Sequence, residues 1–293
     1  MAKFISRCFI VSVLVLLALV VVHVCMIVHY RKLADKVFQH DENTKILFVG
    51  SSQMGCSVDV SSNYPHKVIW TAERPMESVL SRVQYMEEKG FLKGIEILVV
   101  RLNNIAVCME SEKNLQKAWY AELPISWERP SLYAQPYYKL LLYAATHLKF
   151  PANWFFDAGR PERKKSVAEQ SDEWETNFYN VVSSEVGDYQ GLIPDWPERM
   201  LAAYTELKKI CDRNNIRLVA VEFPCLNKYT ALINSTRVGR VEKLISSVQA
   251  AGIEVIRFDN DFGEDCFFDE AHMTESGATR FTAKLYKKSN ILH

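Results

Sequence analysis

A short apolar run followed by a glycine and two serines constrains the fold of this chain more than any other stretch. Residues 46–49 read Ile-Leu-Phe-Val, and Gly50, Ser51 and Ser52 follow directly. An unbroken apolar run of this length is typical of a parallel strand buried on both faces, and glycine favours a tight turn at its end. Because open α/β sheets keep their sites at the carboxyl ends of the strands, the run predicts a serine hydroxyl at a functional edge.

Strand-like and helix-like patterns alternate along the chain after residue 40, which predicts a mostly parallel sheet covered by helices on both faces. Further strands are predicted at 67–70, 95–100, 217–223 and 254–258, and helices from Pro75 to a stop at Gly90, from Asp195 onward, and through 241–248 to a stop at Gly252. The pattern indicates an α/β, flavodoxin-like, doubly wound fold with about five strands.

A second motif lies near the end of the chain, where Asp269 precedes His272 by three positions. An acid at this spacing can orient an imidazole from the same turn, which leaves the other ring nitrogen free to accept a proton from a serine. A helix-like run that contains Gly277 follows. Either motif alone is common in purely structural turns, and it is their order within an alternating α/β pattern that favours a working serine–histidine pair.

Together the two motifs resemble the first and last sequence blocks of the SGNH, or GDSL-type, hydrolase family. The resemblance implies that Ser52 is the nucleophile, His272 the general base and Asp269 the acid that orients the imidazole. Ser51 stands where the family has aspartate, and Gln53 stands where it has leucine. This departure resembles the membrane-anchored branch of the family, which is associated with O-acylation of cell-surface polymers.

The oxyanion donors of the family are matched less completely, although the resemblance spans most of the chain after residue 44. Asn103, just after the third predicted strand, stands at the place of the family's asparagine, and the backbone N–H of Ser52 is the second implied donor. Arg101 stands where the family has glycine. The turn after the second strand also lacks the family's glycine, so a backbone N–H within 72–74 is expected to serve there. The structural alternative for Asn103 is that its side chain only caps a turn.

Residues 8–30 are almost wholly apolar, long enough at about 1.5 Å per residue to cross a hydrocarbon core of about 30 Å. We therefore expect one N-terminal transmembrane helix, with residues 1–40 forming a cytoplasmic stub, the anchor and a juxtamembrane segment. A cleaved signal peptide is the alternative, but the run is too long and has no small-x-small cleavage site. Basic residues flank both ends of the run, so charge leaves its orientation undecided. The family branch implies a catalytic domain outside the cytoplasm.

Residues 41–293 are expected to form one SGNH-like α/β domain with an aromatic-rich insertion at about 105–191. Several tryptophans and tyrosines lie in this insertion and are interrupted by prolines. Three interpretations stay open: the core of an accessory subdomain, a wall on which sugars stack, or a surface that docks on a membrane or on an integral-membrane partner.

Composition excludes some classes of protein. The chain has 35 basic and 35 acidic residues and a formal net charge of zero, whereas a nucleic-acid partner usually needs a basic stripe. The cysteines outside the apolar run show no metal-ligand spacing, so neither a metal nor another cofactor is expected. We interpret them as buried free thiols, with a disulfide between Cys56 and Cys266 as the less favoured alternative.

The family resemblance implies acyl chemistry at Ser52. The preferred interpretation is a serine-dependent O-acyltransferase that passes an acetyl group to exported or cell-surface polysaccharide through an acyl-serine intermediate. Its partners would be an acyl donor, a carbohydrate acceptor and an integral-membrane acyltransferase. One alternative is a membrane-anchored carbohydrate or lipid esterase. Another is a catalytically degenerate SGNH-like scaffold or glycan-binding protein of a surface-assembly complex, because two of the family's sequence blocks are degraded.

Overall fold

The computed structural model of the protein describes residues 2–71, 76–102, 166–170, 196–231, 235–258 and 262–288. Asn103, the turn at 72–74 and the predicted insertion apart from 166–170 lie outside the described residues.

A parallel sheet forms the centre of the fold, with its five strands in the order β2-β1-β3-β4-β5. The strands are β1 (Ile46–Ser51), β2 (His66–Thr71), β3 (Ile97–Leu102), β4 (Arg217–Glu222) and β5 (Glu254–Arg257). This is the strand order of a flavodoxin-like sheet, and it confirms the predicted α/β class. The order reverses direction at β1, so its carboxyl end lies at the switch point where such sheets keep their sites.

The third strand begins two residues later than predicted. Ile95 is buried and apolar, but its N–H donates to the carbonyl of Leu92 at 3.2 Å, so it belongs to a turn. Gly94 has a φ of 87°, a left-handed conformation that closes this turn before the strand begins. Burial alone therefore did not distinguish the end of the turn from the start of the strand.

Seven α-helices are described around the sheet. They are α1 (Ala2–Phe38), α2 (Ser52–Ser57), α3 (Met76–Glu88), α4 (Trp196–Arg213), α5 (Asn227–Thr230), α6 (Ser235–Ala250) and α7 (Glu275–Lys288). Single 3₁₀ turns lie at Val167–Glu169 and Glu264–Cys266. Gly90 and Gly252 follow α3 and α6 with φ values of 72° and 76°, which confirms the two predicted helix stops.

The two faces of the sheet pack into separate apolar clusters. Leu47 and Val49 pack with α3, α4 and α6, whereas Ile46 and Phe48 pack with α2 and α7. Successive side chains of a strand point to opposite faces, so the unbroken apolar run of β1 supplies both clusters. The helix α2, which begins at Ser52, and the helix α7 after His272 therefore share one face of the sheet.

The carboxyl end of α1 packs on the α/β domain. Phe38 is fully buried, and its ring centroid lies 5.9 Å from that of Tyr85 in α3. The Tyr85 hydroxyl donates to Asp35 at 2.6 Å. Earlier in the helix, the exposed apolar side chains include Phe9 at 69% and Leu14 at 59%. Among the residues that the structure describes, no helix combines the length and the apolar content that crossing a membrane requires.

Three of the cysteines are buried free thiols, namely Cys56, Cys211 and Cys266. The alternative of a disulfide between Cys56 and Cys266 is therefore wrong. Burial raises the pKa of Cys211 from 9.0 to about 12, which keeps this thiol protonated and unreactive at neutral pH.

Gly277 provides a test of the contact between α7 and the segment before the histidine. A Cβ at this position would lie 2.2 Å from the carbonyl oxygen of Cys266, a backbone atom that cannot rotate away. We expect Gly277→Ala to lower the free energy of unfolding by about 1–3 kcal/mol, as overpacking does. The measurement is urea unfolding of the full chain in detergent, followed by circular dichroism.

The matched control is Gly239→Ala in α6, where an added Cβ meets nothing within 4 Å. Alanine in a helix interior is more favourable than glycine by about 0.5–1 kcal/mol, so this variant is expected to gain stability. Equal effects of the two substitutions would contradict the close contact at Gly277.

Candidate active site

Ser52 lies where β1 passes directly into α2. The last residue of β1, Ser51, has extended backbone angles (φ −101°, ψ −176°), and Ser52 is the first residue of the helix. A Cβ at Gly50 would lie 3.0 Å from Sδ and Cε of Met54, so the glycine leaves room for that side chain beside the turn. The turn places the Ser52 side chain at the carboxyl edge of the sheet, next to the switch point.

Asp269 and His272 form one compact unit. The Asp269 carboxylate accepts the backbone N–H groups of Ala271 at 3.0 Å and of His272 at 2.7 Å. Its other oxygen lies 2.8 Å from Nδ1 of His272. The imidazole also stacks on Phe268, with the ring planes 9° apart and the centroids 5.7 Å apart. Acid and base are therefore held in a fixed relation by local contacts.

The structure brings Ser52, His272 and Asp269 together. Nε2 of His272 lies 2.9 Å from Oγ of Ser52, across 220 positions of sequence. Asp269 accepts the proton on Nδ1, so Nε2 is left as the acceptor for the serine hydroxyl. The side chains of His272 and Asp269 are 24% and 27% exposed, so a substrate from solvent can approach them. This arrangement can activate a serine for attack on an acyl carbonyl.

The charge on Asp269 is stabilised by its neighbours. Burial raises its pKa, but the hydrogen bond and charge of His272 and the N–H groups of Ala271 and His272 lower it by more. The net pKa of Asp269 lies below its usual value of 3.8, so the carboxylate stays charged at neutral pH and can stabilise an imidazolium beside it.

Asp59, which lies just after α2, connects this helix to α7 by hydrogen bonds. The sequence analysis did not single out this residue. Its backbone N–H donates to Oγ1 of Thr282 at 2.8 Å, and its carboxylate accepts the hydroxyl of Thr279 at 2.9 Å. These contacts hold the helix after His272 against the helix that begins at Ser52. No local pattern could have indicated them, because Asp59 and Thr282 are 223 positions apart.

Two residues that depart from the family pattern contact each other. Arg101, where the family has glycine, is 3% exposed, and its Nη1 donates to Oγ of Ser51 at 2.6 Å. Ser51 is the residue that stands in place of the family's aspartate. The hydroxyl of Tyr204 in α4 donates to the Arg101 carbonyl at 2.7 Å. The end of β1, directly before Ser52, is thus fixed to the end of β3.

The oxyanion donors are described only in part. Ser52 opens α2, and N–H groups at the start of a helix have no partner within the helix. Asn103 lies outside the described residues, so its predicted role stays a prediction. The described part of the insertion contacts the two residues directly before Asp269. The N–H of Val167 donates to the Phe267 carbonyl at 2.7 Å, and Nε2 of Gln170 donates to the Phe268 carbonyl at 2.9 Å. Within the described ranges, no three His, Cys, Asp or Glu side chains are grouped so as to hold a metal.

The pKa of Asp269 generates a prediction about acid stability. Because its folded-state pKa lies below the usual 3.8, the carboxylate stabilises the folded protein at higher pH and loses this contribution as the pH falls through the folded-state pKa. We expect Asp269→Asn to unfold with a weaker pH dependence than the wild type below about pH 4. Urea unfolding from neutral pH down to about pH 3 measures the difference. The same slope in both proteins would contradict the lowered pKa.

Comparison with known proteins gives distant structural likenesses, two of which are described here. No protein-family model and no curated protein matches the chain. A solved structure described as an acylhydrolase from Bacteroides fragilis has 9% sequence identity, with 89% of this chain and 93% of the other covered and a TM-score of 0.43. A GDSL-like lipase from Bacteroides thetaiotaomicron has 8% identity, with 90% and 96% covered and a TM-score of 0.42. Likenesses this weak carry no information on activity. The strand order and the contacts of Ser52, His272 and Asp269 are those expected from the resemblance of the two sequence motifs to the SGNH family.

Proposed function

We propose that the chain is a serine-dependent acyl-transfer enzyme of SGNH type, in which Ser52 carries the acyl group. The observation that carries the proposal is the 2.9 Å contact between Nε2 of His272 and Oγ of Ser52, with Asp269 on the other ring nitrogen. A buried structural serine would not need a histidine whose tautomer is set by a charged carboxylate. The three groups together match the requirements of nucleophilic catalysis in geometry and in charge.

In the first half of the reaction, Oγ of Ser52 attacks the acyl carbonyl while Nε2 of His272 takes the hydroxyl proton. Asp269 stabilises the imidazolium that forms. The backbone N–H of Ser52 and, in this proposal, the side chain of Asn103 stabilise the oxyanion of the tetrahedral intermediate. The intermediate collapses when His272 returns the proton to the leaving oxygen, which leaves an ester on Ser52.

In the second half, an acceptor hydroxyl gives its proton to His272 and attacks the Ser52 ester. The acyl group passes to the acceptor, and the proton returns to Oγ of Ser52. We propose that the acyl group is acetyl and that the acceptor is a hydroxyl of exported or cell-surface polysaccharide, with an integral-membrane acyltransferase as the partner that supplies the donor. The support is the Ser51 and Gln53 pattern, which resembles the anchored branch of the family. Water as the acceptor would make the protein an esterase.

We further propose that residues 8–30, within α1, anchor the chain in a membrane and that the catalytic domain lies outside the cytoplasm. An apolar run of this length supports the anchor, and so do the exposed side chains of Phe9 and Leu14, which water disfavours. An anchored chain is expected to stay in the membrane fraction after an alkaline wash and to be released only by detergent. Release by the wash alone would contradict the anchor.

Acetyl transfer is tested with p-nitrophenyl acetate as donor and cellohexaose as a soluble carbohydrate acceptor. We expect the full chain in detergent to release nitrophenolate and to form acetylated oligosaccharide, which mass spectrometry detects. Ser52→Ala and His272→Ala are each expected to lower kcat by at least about 10²-fold, because they remove the nucleophile or the base.

The control is Ser57→Ala, which removes a buried hydroxyl from the same helix without touching the site. Its kcat is expected to match the wild type. Release of nitrophenolate together with free acetate, and without acetylated oligosaccharide, would favour the esterase alternative. No release from a well-folded wild type, together with binding of the oligosaccharide, would favour the scaffold alternative.

A further inference from the structure

The contacts around Gln53 point to a further positioning residue for the proposed reaction. Asp269 and His272 are held together by their own turn, but Ser52 belongs to a different segment of the chain. The 2.9 Å distance between Ser52 and His272 therefore depends on what joins the two segments. Besides the helix contacts through Asp59, one short segment after β4 contacts both of them.

That segment is 224–226. On one side, Nε2 of Gln53 donates to the Pro224 carbonyl at 3.3 Å and lies 3.2 Å from Sγ of Cys225. On the other side, the N–H of Leu226 donates to the carbonyl of Glu270 at 2.8 Å. Gln53 directly follows the nucleophile, and Glu270 lies between the acid and the base. The path through 224–226 thus connects the two halves of the site by hydrogen bonds.

Stability alone does not explain a glutamine at this position. The Gln53 side chain is 2% exposed, and none of the described residues donates to its Oε1. A buried acceptor without a partner costs free energy, which an apolar side chain of the same size would avoid. An unsatisfied buried group in a folded protein calls for an explanation, and a role in catalysis is one of the explanations known. Here the only contacts that glutamine adds are those of Nε2 with 224–226, among the described residues.

We propose that Gln53 is a positioning residue that uses segment 224–226 to set Oγ of Ser52 within reach of Nε2 of His272. The inference rests on the proposed function, since it assigns Gln53 a role in activating that serine. In this proposal the Gln53 side chain acts through Ser52 and does not itself touch the reacting atoms. Its donor group keeps the nucleophile turn in register with the acid–base turn, and a displacement of about 1 Å between such groups costs about 10²-fold in rate.

The test compares Gln53→Met and Gln53→Glu with the wild type, using a fluorophosphonate probe on the full chain in detergent. Methionine keeps the size of the side chain but has no donor, and glutamate keeps the shape but places an acceptor opposite the Pro224 carbonyl. We expect the saturating labelling rate to fall by about 10- to 10²-fold in both, while the affinity for the probe stays unchanged. The urea midpoint of Gln53→Met is expected to stay close to that of the wild type, because the substitution removes one unpaired acceptor, Oε1 of Gln53, and takes the donor from another, the carbonyl of Pro224.

Ser57→Ala is the matched control. Oγ of Ser57 is also buried in α2 without a partner among the described residues, but Ser57 does not contact 224–226. This variant is expected to label at the wild-type rate with an equal or higher urea midpoint. It separates removal of an unpaired buried group from loss of the donor at Gln53.

The outcomes are distinguishable. Wild-type labelling rates in folded Gln53→Met and Gln53→Glu would overturn the inference and leave the proposed function standing. A labelling rate that falls only in a variant whose urea midpoint also falls would overturn the inference too, because Gln53 would then be a packing residue. A wild type that takes no label would overturn the proposed function and the inference with it.

Discussion

The arrangement of Ser52, His272 and Asp269 depends on the packing of α7 against the sheet face that also carries α2. Phe281 of α7 is fully buried, and its ring lies 5.1 Å from that of Phe223 and 4.9 Å from that of Phe258. Aromatic pairs at such distances contribute about 0.5–1.5 kcal/mol each beyond their burial. The contacts of Asp59 with Thr279 and Thr282 add directional hydrogen bonds to this apolar packing. His272 precedes α7 by a few residues, so the position of the helix determines where the imidazole lies.

Two buried polar side chains lie beside the turn that carries Ser52. Arg101 buries a guanidinium beside Ser51, and Gln53 buries an amide whose oxygen has no partner among the described residues. Gln53 directly follows Ser52 in the chain, and Arg101 contacts Ser51, which directly precedes Ser52. Burying polar groups costs free energy unless their bonds are made, so their place at one edge of the sheet is informative. The rest of β1 and β3 is apolar, and its packing supplies the stability that offsets this cost.

Much of the fold was predictable because it depends on local patterns. The apolar runs at β1 and β4 have the length and the unbroken character of buried parallel strands, and left-handed glycines end α3 and α6 where expected. The Asp269–His272 unit was predictable for the same reason, since acid and base lie in one turn. The start of β3 was not, because Ile95 is as buried in its turn as it would be in a strand. The contacts of Asp59 and of Gln53 were not, because each joins residues far apart in the chain.

The sequence by itself determined the strand–helix alternation, the serine after β1 and the pairing of Asp269 with His272, since each follows from residues within one or two turns. Only the tertiary structure decided that Ser52 and His272 meet at 2.9 Å, that Arg101 contacts Ser51, and that segment 224–226 contacts both halves of the site. The physical reason is that these contacts depend on the order of the strands and on how α2 and α7 pack on one face. Periodicity predicts which face of an element is buried, but it does not predict which distant element covers that face.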